Sequence, residues 1–253
     1  MRAIYTPDGA AWEYSPLALN IYKGCAHGCR YCFARTIGRS CSMEEWTKDE
    51  PDIKKDLFPS LEKDCKELAG CRVPVLLCFT SDPYQPTEAI ARVTRKVLET
   101  FQEHDMSAVI LTKGDALAQR DFDILTKMRN SQFAVSLTGN DKYEPNAGST
   151  DLRLKNLKAA IESGLVTWTS FEPVLNTDEA LRLMEVVHEL GTDQIRIGKL
   201  NIKKMYDDHL KEMKELEDSV DWPKFREDVR ALMARLGRTE GRGFILKKDL
   251  LNA

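Results

Sequence analysis

A chain of 253 residues is long enough for one large α/β domain, and 42% hydrophobic with 30% charged residues describes an ordinary globular protein. The net charge of −3 argues against a protein that coats nucleic acid nonspecifically. No apolar run approaches the length of a membrane span, and residues 1–5 open no long signal core. The expected setting is therefore cytoplasmic, with no membrane partner and with the seven cysteines reduced.

In chain order the pattern alternates between strand and helix. Residues 17–22 read as a strand and lead into a cysteine-bearing loop and a polar stretch to about residue 54. A helical pattern covers 55–69. Residues 74–79 are a short continuous apolar run, as in a strand buried on both faces of a parallel sheet. Residues 88–103 follow as one helix, with Ile90, Val93, Val97 and Phe101 at helical spacing. Strands at 107–112, 132–137, 165–171 and 194–199 then alternate with helices at 115–129, 150–163 and 177–190. Thr177 or Asp178 is the N-cap candidate of the last of these helices, and Gly164 and Gly191 stand where C-caps belong. Helices at about 203–217 and 223–236 complete the count. Six strand–helix units in strict alternation call for a parallel sheet with right-handed crossovers, either open and doubly wound or a partial barrel.

Charge is uneven along this string. Residues 222–248 hold Lys224, Arg226, Arg230, Arg235, Arg238, Arg242, Lys247 and Lys248 against Glu227, Asp228 and Glu240. Such a run is either a solvated helix face or a surface for phosphates. In parallel α/β folds the site lies at the carboxyl ends of the strands. Polar residues gather there: 80–88 after strand two, Thr112-Lys113-Gly114 after strand three, and Ser136 with Thr138-Gly139 closing strand four. Glu172-Pro173 closes strand five and Lys199-Leu200-Asn201 strand six.

The most specific stretch is Gly24-Cys25-Ala26-His27-Gly28-Cys29-Arg30-Tyr31-Cys32-Phe33, with cysteines spaced C-x-x-x-C-x-x-C. Three thiolates this close on a loop can converge on one metal centre. Structural zinc usually takes four protein ligands, and an electron-carrying iron–sulfur cluster usually takes four cysteines. Three cysteines on a four-iron cluster would leave one iron open. The rival is a Cys3His zinc site using His27, which would be a strained chelate because His27 stands inside the first cysteine loop. Cys41, Cys65, Cys71 and Cys78 show no cluster spacing and read as ordinary thiols.

Cys25, Cys29 and Cys32, with Tyr31 before the third, resemble the signature of the radical S-adenosylmethionine (SAM) enzymes. Thr80-Ser81-Asp82-Pro83-Tyr84-Gln85-Pro86, Leu111-Thr112-Lys113 with Arg120-Asp121, and Glu144-Pro145 followed by Arg153 are similar to its spore photoproduct lyase-like branch. That resemblance covers about residues 20–201. It implies a partial (β/α)6 TIM-like barrel of parallel strands plus C-terminal helices, in one domain over 1–253 with its core at 17–201 and an extension at 202–253. It implies a 4Fe-4S cluster on Cys25, Cys29 and Cys32, whose open iron binds SAM. One-electron cleavage of SAM then gives a 5′-deoxyadenosyl radical that abstracts hydrogen from a substrate, and an external flavodoxin- or ferredoxin-like donor supplies the electron. By the same resemblance Tyr31 packs near the adenine, Ser81 and Asp82 stand where the SAM amino group binds, Ser136 reaches the ribose and Arg153 pairs with the SAM carboxylate. Bland alternatives are a turn cap for Asp82 and an exposed helix residue for Arg153.

Candidates for substrate contact are Tyr84, Gln85, Lys113, Glu172, Lys199 and Asn201. The family name and the basic C-terminal run point to a nucleic acid or nucleotide substrate; a protein or small metabolite is the alternative within the class. From a different class, the same cysteines would suit a non-enzymatic iron–sulfur or zinc module that binds nucleic acid. One departure is plain. The lyase carries a hydrogen-donating cysteine where this chain has Phe79, and Cys78, one residue earlier, should face the other side of the strand. Asn146-Ala147-Gly148 also replaces the Arg-Ala-Pro often found in relatives, a change expected to alter the substrate side.

Overall fold

The computed structural model describes residues 2–36, 43–47, 51–200 and 208–252. Eight strands form one sheet whose spatial order follows the chain. They are β1 (Ile4–Tyr5), β2 (Leu17–Leu19), β3 (Val75–Leu77), β4 (Ala108–Thr112), β5 (Gln132–Ser136), β6 (Val166–Phe171), β7 (Gln194–Ile197) and β8 (Phe244–Leu246). β1 runs antiparallel to β2, and every later neighbour pair is parallel. β2 to β7 are the six expected strands, with helices in the crossovers between them. Among the described residues β1 and β8 do not pair with each other, so the sheet stays open. No helix of the described chain is long and apolar enough to cross a membrane.

Strand alternation sorts the core into two layers. Ala18, Leu76, Val109, Ala134 and Trp168 pack together on one face, joined by Tyr14, Phe79 and Leu111. Leu19, Leu77, Ile110, Val135 and Phe171 pack on the other with residues of the helices, such as Leu61, Val97 and Leu157. Cys78 belongs to that second layer and Phe79 to the first; Cys78 shares its layer with Leu77 because the strand ends there and the backbone turns through a φ of +61° at Cys78, which interrupts the alternation.

Several boundaries differ from expectation for identifiable reasons. The expected helix over 88–103 is two, Glu88–Ala91 and Val93–Glu103, broken at Arg92 with φ +49°. The carboxylate of Glu88, fully buried, accepts the Thr94 N–H at 2.8 Å and so caps the second helix. Ile90 is left 91% exposed and is no core residue. The expected helix over 115–129 is a 3-10 turn, Ala116–Asp121, and a short helix, Phe122–Leu125. Asn176, one residue before the expected caps, accepts the Glu179 N–H at 3.0 Å and caps Thr177–Leu190. The C-terminal extension is not wholly helical: after helices Asp208–Asp218 and Trp222–Arg235 it contributes β8.

The basic run is largely paired within the fold. Lys224 meets Asp228 at 2.6 Å, Arg230 meets Glu240 at 3.1 Å, and Arg235 pairs with Glu185. Arg226 donates to the Leu251 carbonyl at 2.9 Å, Arg238 donates to the Thr192 carbonyl at 2.6 Å, and Lys247 is buried against Glu172. Among the described residues only Arg242 and Lys248 of that run are not so engaged.

A second charged network steadies the loop after β3. Arg120 lies 3.2 Å from Glu88 and 2.8 Å from Asp121, both carboxylates fully buried. Arg95 reaches Asp121 at 3.0 Å, the Tyr84 hydroxyl donates to Asp121 at 3.1 Å, and the Tyr22 hydroxyl donates to Glu88. Removing one member strands the others. Asp121→Ala is expected to cost about 3–5 kcal/mol, read as a lowered urea midpoint at unchanged m-value.

Candidate active site at the carboxyl ends of the strands

The cysteine loop leaves β2 through Asn20, whose Oδ1 accepts the Thr80 N–H at 3.0 Å. Tyr22–Lys23 then pairs antiparallel with Asp52–Ile53. Gly24 turns the chain at φ +85°, where a Cβ would lie 2.7 Å from the Trp46 carbonyl, so only glycine fits. The Cys25 N–H donates to the same carbonyl at 3.2 Å, and the Arg30 N–H donates to the Tyr143 carbonyl at 2.9 Å.

Cys25, Cys29 and Cys32 open onto one cavity of about 330 Å³ at the carboxyl ends of the strands. Each is partly exposed to that cavity though protein surrounds it. Burial raises all three thiol pKa values, that of Cys29 to about 12. Cys25 is raised further by the nearby charge of Asp82 and by the other two sulfurs. Lys113 acts the other way, favouring the thiolates of Cys29 and Cys32. Among the described residues no three His, Cys, Asp or Glu side chains converge closely enough for one metal ion. His27 is buried with Nδ1 3.6 Å from Asp82 Oδ2, and so does not complete a compact Cys3His set. A cluster of several irons, which spreads its ligands, fits this donor set better than a single zinc.

The structure brings most of the expected residues to the cavity. Tyr31, Ser81, Asp82, Ser136, Lys113, Glu172 and Lys199 line it with the cysteines. The Ser81 hydroxyl is buried with no oxygen or nitrogen partner, its polar neighbour being the Cys78 thiol. Ser170, which also lines the cavity, has a buried hydroxyl with no partner. Orphaned hydroxyls beside three thiols suit a polar ligand there. Asp82 joins two strand ends: Oδ1 accepts the Tyr84 N–H at 2.8 Å and the Thr112 hydroxyl at 2.7 Å, and Oδ2 accepts the Lys113 N–H at 2.7 Å. The turn-capping alternative is thus part of its work. Lys113 Nζ stands 5.6 Å over the Tyr31 ring, and Lys199 is held 3.0 Å from Glu217.

Three candidates sit elsewhere. Arg153 is fully buried behind the wall, not exposed on its helix and not on the cavity. Its NH1 donates to the Ser136 carbonyl at 2.9 Å and its Nε to the Gly148 carbonyl at 2.6 Å. Its NH2 lies 2.6 Å from Glu144 Oε2, an ion pair by distance whose angle is off the hydrogen-bond line. The other oxygen of Glu144 accepts the Tyr31 hydroxyl. Tyr84 is buried against Asp121. Gln85 is fully buried, its Oε1 accepting the Ala26 N–H at 2.9 Å, so it braces the cysteine loop instead of facing substrate. Asn201 and Cys41 lie outside the described residues.

Sequence reasoning missed the far wall. Tyr14, in the segment before β2, lines the cavity, stacks on Trp168 at 5.4 Å and donates its hydroxyl to Glu172. Lys247, just after β8, is buried with Nζ 2.7 Å from Glu172 and 4.1 Å over the Tyr14 ring. Burial alone would lower the Lys247 pKa, but Tyr14 and Glu172 together raise it. The apolar triplet Phe244-Ile245-Leu246 between glycine-bearing and charged residues was the available signal for this strand.

An open, mostly parallel α/β sheet carrying three thiols of one loop at the carboxyl ends of its strands defines the class. The Radical SAM superfamily model matches residues 19–179, and the chain belongs to that superfamily. Among curated proteins it is 28% identical over 162 residues to an uncharacterized protein of Methanocaldococcus jannaschii, covering 62% of this chain and 60% of that one. An uncharacterized Mycobacterium tuberculosis protein is 27% identical over 197 residues, covering 73% and 57%. The chain thus spans about 60% of the length of these relatives. Among solved structures it is similar in fold to a spore photoproduct lyase complexed with dinucleoside spore photoproduct, with TM-score 0.63, 14% identity, and coverage of 95% of this chain and 78% of that one. It is also similar to Streptococcus suis SuiB bound to S-adenosylmethionine, with TM-score 0.59, 17% identity, and coverage of 91% and 50%. Membership implies SAM and an iron–sulfur cluster as cofactors.

Arg153→Ala would leave Glu144 charged and unpaired in the interior. The expected loss is about 3–5 kcal/mol of unfolding free energy before any ligand is added. Unchanged stability in a denaturant titration would contradict a bracing role.

Proposed function

We propose that the chain is a radical SAM enzyme with a 4Fe-4S cluster held by Cys25, Cys29 and Cys32. The observation that carries this reading is that three thiols of one loop open onto a single cavity at the strand ends. The chemistry that cluster and SAM supply when bound is one-electron cleavage of SAM and abstraction of hydrogen from a substrate. The chain's own residues bind and orient. Of the two lysines that line the cavity, Lys199 is held by Glu217, and Lys113 takes the role expected of Arg153, pairing with the SAM carboxylate. Ser81 offers its unpartnered hydroxyl to the SAM amino group, while Asp82 holds the ends of β3 and β4 together around that place. Tyr31, fixed by Glu144, presents its ring toward the adenine, and Ser136 faces the ribose. Glu172 and Lys199 stand on the substrate side, each already neutralised by an internal partner. A flavodoxin- or ferredoxin-like protein is the proposed electron donor.

A nucleic acid or nucleotide is the proposed substrate class, supported by the fold likeness to a lyase complexed with a dinucleoside. A second reading, a peptide or small metabolite, is favoured by the internal pairing of the basic C-terminal run, which leaves little positive surface for a phosphate backbone.

The test is anaerobic reconstitution followed by EPR of the reduced protein with and without SAM. The expected result is a four-iron signal that SAM perturbs, with 5′-deoxyadenosine formed; Cys29→Ala should abolish all three. Bound zinc, or a cluster blind to SAM, would overturn the assignment. Lys113→Ala is expected to weaken SAM binding roughly 10- to 100-fold in calorimetric titration, the range of one charge-assisted hydrogen bond.

A further inference from the structure

The Ala26 peptide, between the first two cysteines, is gripped from two other loops. Its N–H donates to Gln85 Oε1 at 2.9 Å, from the loop after β3. Its carbonyl accepts from Asn146 Nδ2 at 3.0 Å, from the loop after β5. The Asn146 N–H also donates to the His27 carbonyl at 3.2 Å. Three hydrogen bonds therefore hold the two residues that follow Cys25, and they come from opposite flanks. The segment carrying Asn146 is itself locked. The Gly148 N–H donates to the Lys113 carbonyl at 2.8 Å, and a Cβ on Gly148 would lie 2.8 Å from the Gly114 carbonyl.

We infer that Gln85 and Asn146 are positioning residues that pre-set the cysteine loop through the Ala26 peptide. The inference rests on the reading that the three cysteines hold a cluster. A flexible loop must lose conformational freedom when it closes on a metal centre, whereas a loop already braced loses less. The brace also limits local opening, which sets how often a thiol held inside the cavity meets a reagent from solvent. The Asn-Ala-Gly segment thus acts on the thiol side of the cavity, not on the substrate side.

The test uses the full chain handled without oxygen and has two readouts. In the metal-free protein, alkylation of Cys25 and Cys29 by iodoacetamide is timed by peptide mass spectrometry. In the reconstituted protein, iron loss to a chelator is timed by absorbance. Asn146→Asp is nearly isosteric but cannot donate to the Ala26 carbonyl, and Asn146 is exposed, so the core is untouched. Gln85→Met keeps volume but lacks the acceptor. Tyr84→Phe is the control, removing a buried hydroxyl on Asp121 that does not touch the loop. Asn146→Asp and Gln85→Met are expected to speed both processes about 2- to 10-fold, the worth of one hydrogen bond, and Tyr84→Phe neither. Wild-type rates in Asn146→Asp, or equal acceleration by Tyr84→Phe, would overturn the inference. Should the wild-type chain take up no cluster, the cluster assignment fails, while the alkylation rates still decide whether the brace exists.

Discussion

The buried pair of Glu144 and Arg153 is the interaction on which the site depends. Both side chains are wholly excluded from water, and two charges in that setting are costly unless every remaining hydrogen-bonding group is met. Here they are largely met. Arg153 gives its other N–H groups to the Ser136 and Gly148 carbonyls, and Glu144 takes the Tyr31 hydroxyl on its free oxygen. One ion pair thereby ties the cysteine loop, the end of β5, the loop after it and the helix Thr150–Glu162 into one body. An apolar pair of the same volume would satisfy neither the two carbonyls nor the tyrosine, so the charges are retained for connection.

What the sequence showed best was whatever depends on short-range pattern. The six strands β2 to β7 were legible because each is a short β-prone apolar run bounded by polar residues at the strand end. Cys78 and Phe79 do lie in opposite layers, but the backbone break at Cys78, where φ is +61°, sets this and not alternation along the strand. The three thiols were legible from spacing. Failures arose where side-chain direction beyond a strand end is set by tertiary partners. Tyr84 and Gln85 stand in the right loop and have reactive side chains, yet both turn inward, one to Asp121 and the other to Ala26. The helix break at Arg92 was equally hidden, since it depends on a glutamate six residues before Thr94 folding back to cap it.

Composition also misled about charge. Eight basic residues against three acidic ones over 222–248 suggest a surface for phosphates. Partners from outside that window, Glu185 and Glu172, together with carbonyls of Thr192 and Leu251, absorb much of it. A linear window counts charges and cannot see their neighbours. Surface pairs such as Lys224 with Asp228 add little stability, but they still flatten the local potential that a polyanion would feel.

Most of the cavity lining comes from the span shared with the superfamily, and a few residues come from outside it. The cysteines, Ser81, Asp82, Lys113 and Ser136 all fall within residues 19–179, the span shared with the superfamily. Tyr14 and Lys199 line the cavity from outside that span, one from the segment preceding the first parallel strand and the other from beyond the end of β7, while Lys247, just after β8, pairs with the lining Glu172. Among the described residues β1 and β8 are the unpaired edges of the sheet, and no strand hydrogen bonding joins them. Tyr14 stacks on Trp168, and Arg196 lies 4.1 Å over the Trp168 ring, so side-chain contacts and not backbone pairing hold Tyr14 beside the cavity. A wall held by side-chain contacts can change by substitution without disturbing the ladder of strand hydrogen bonds.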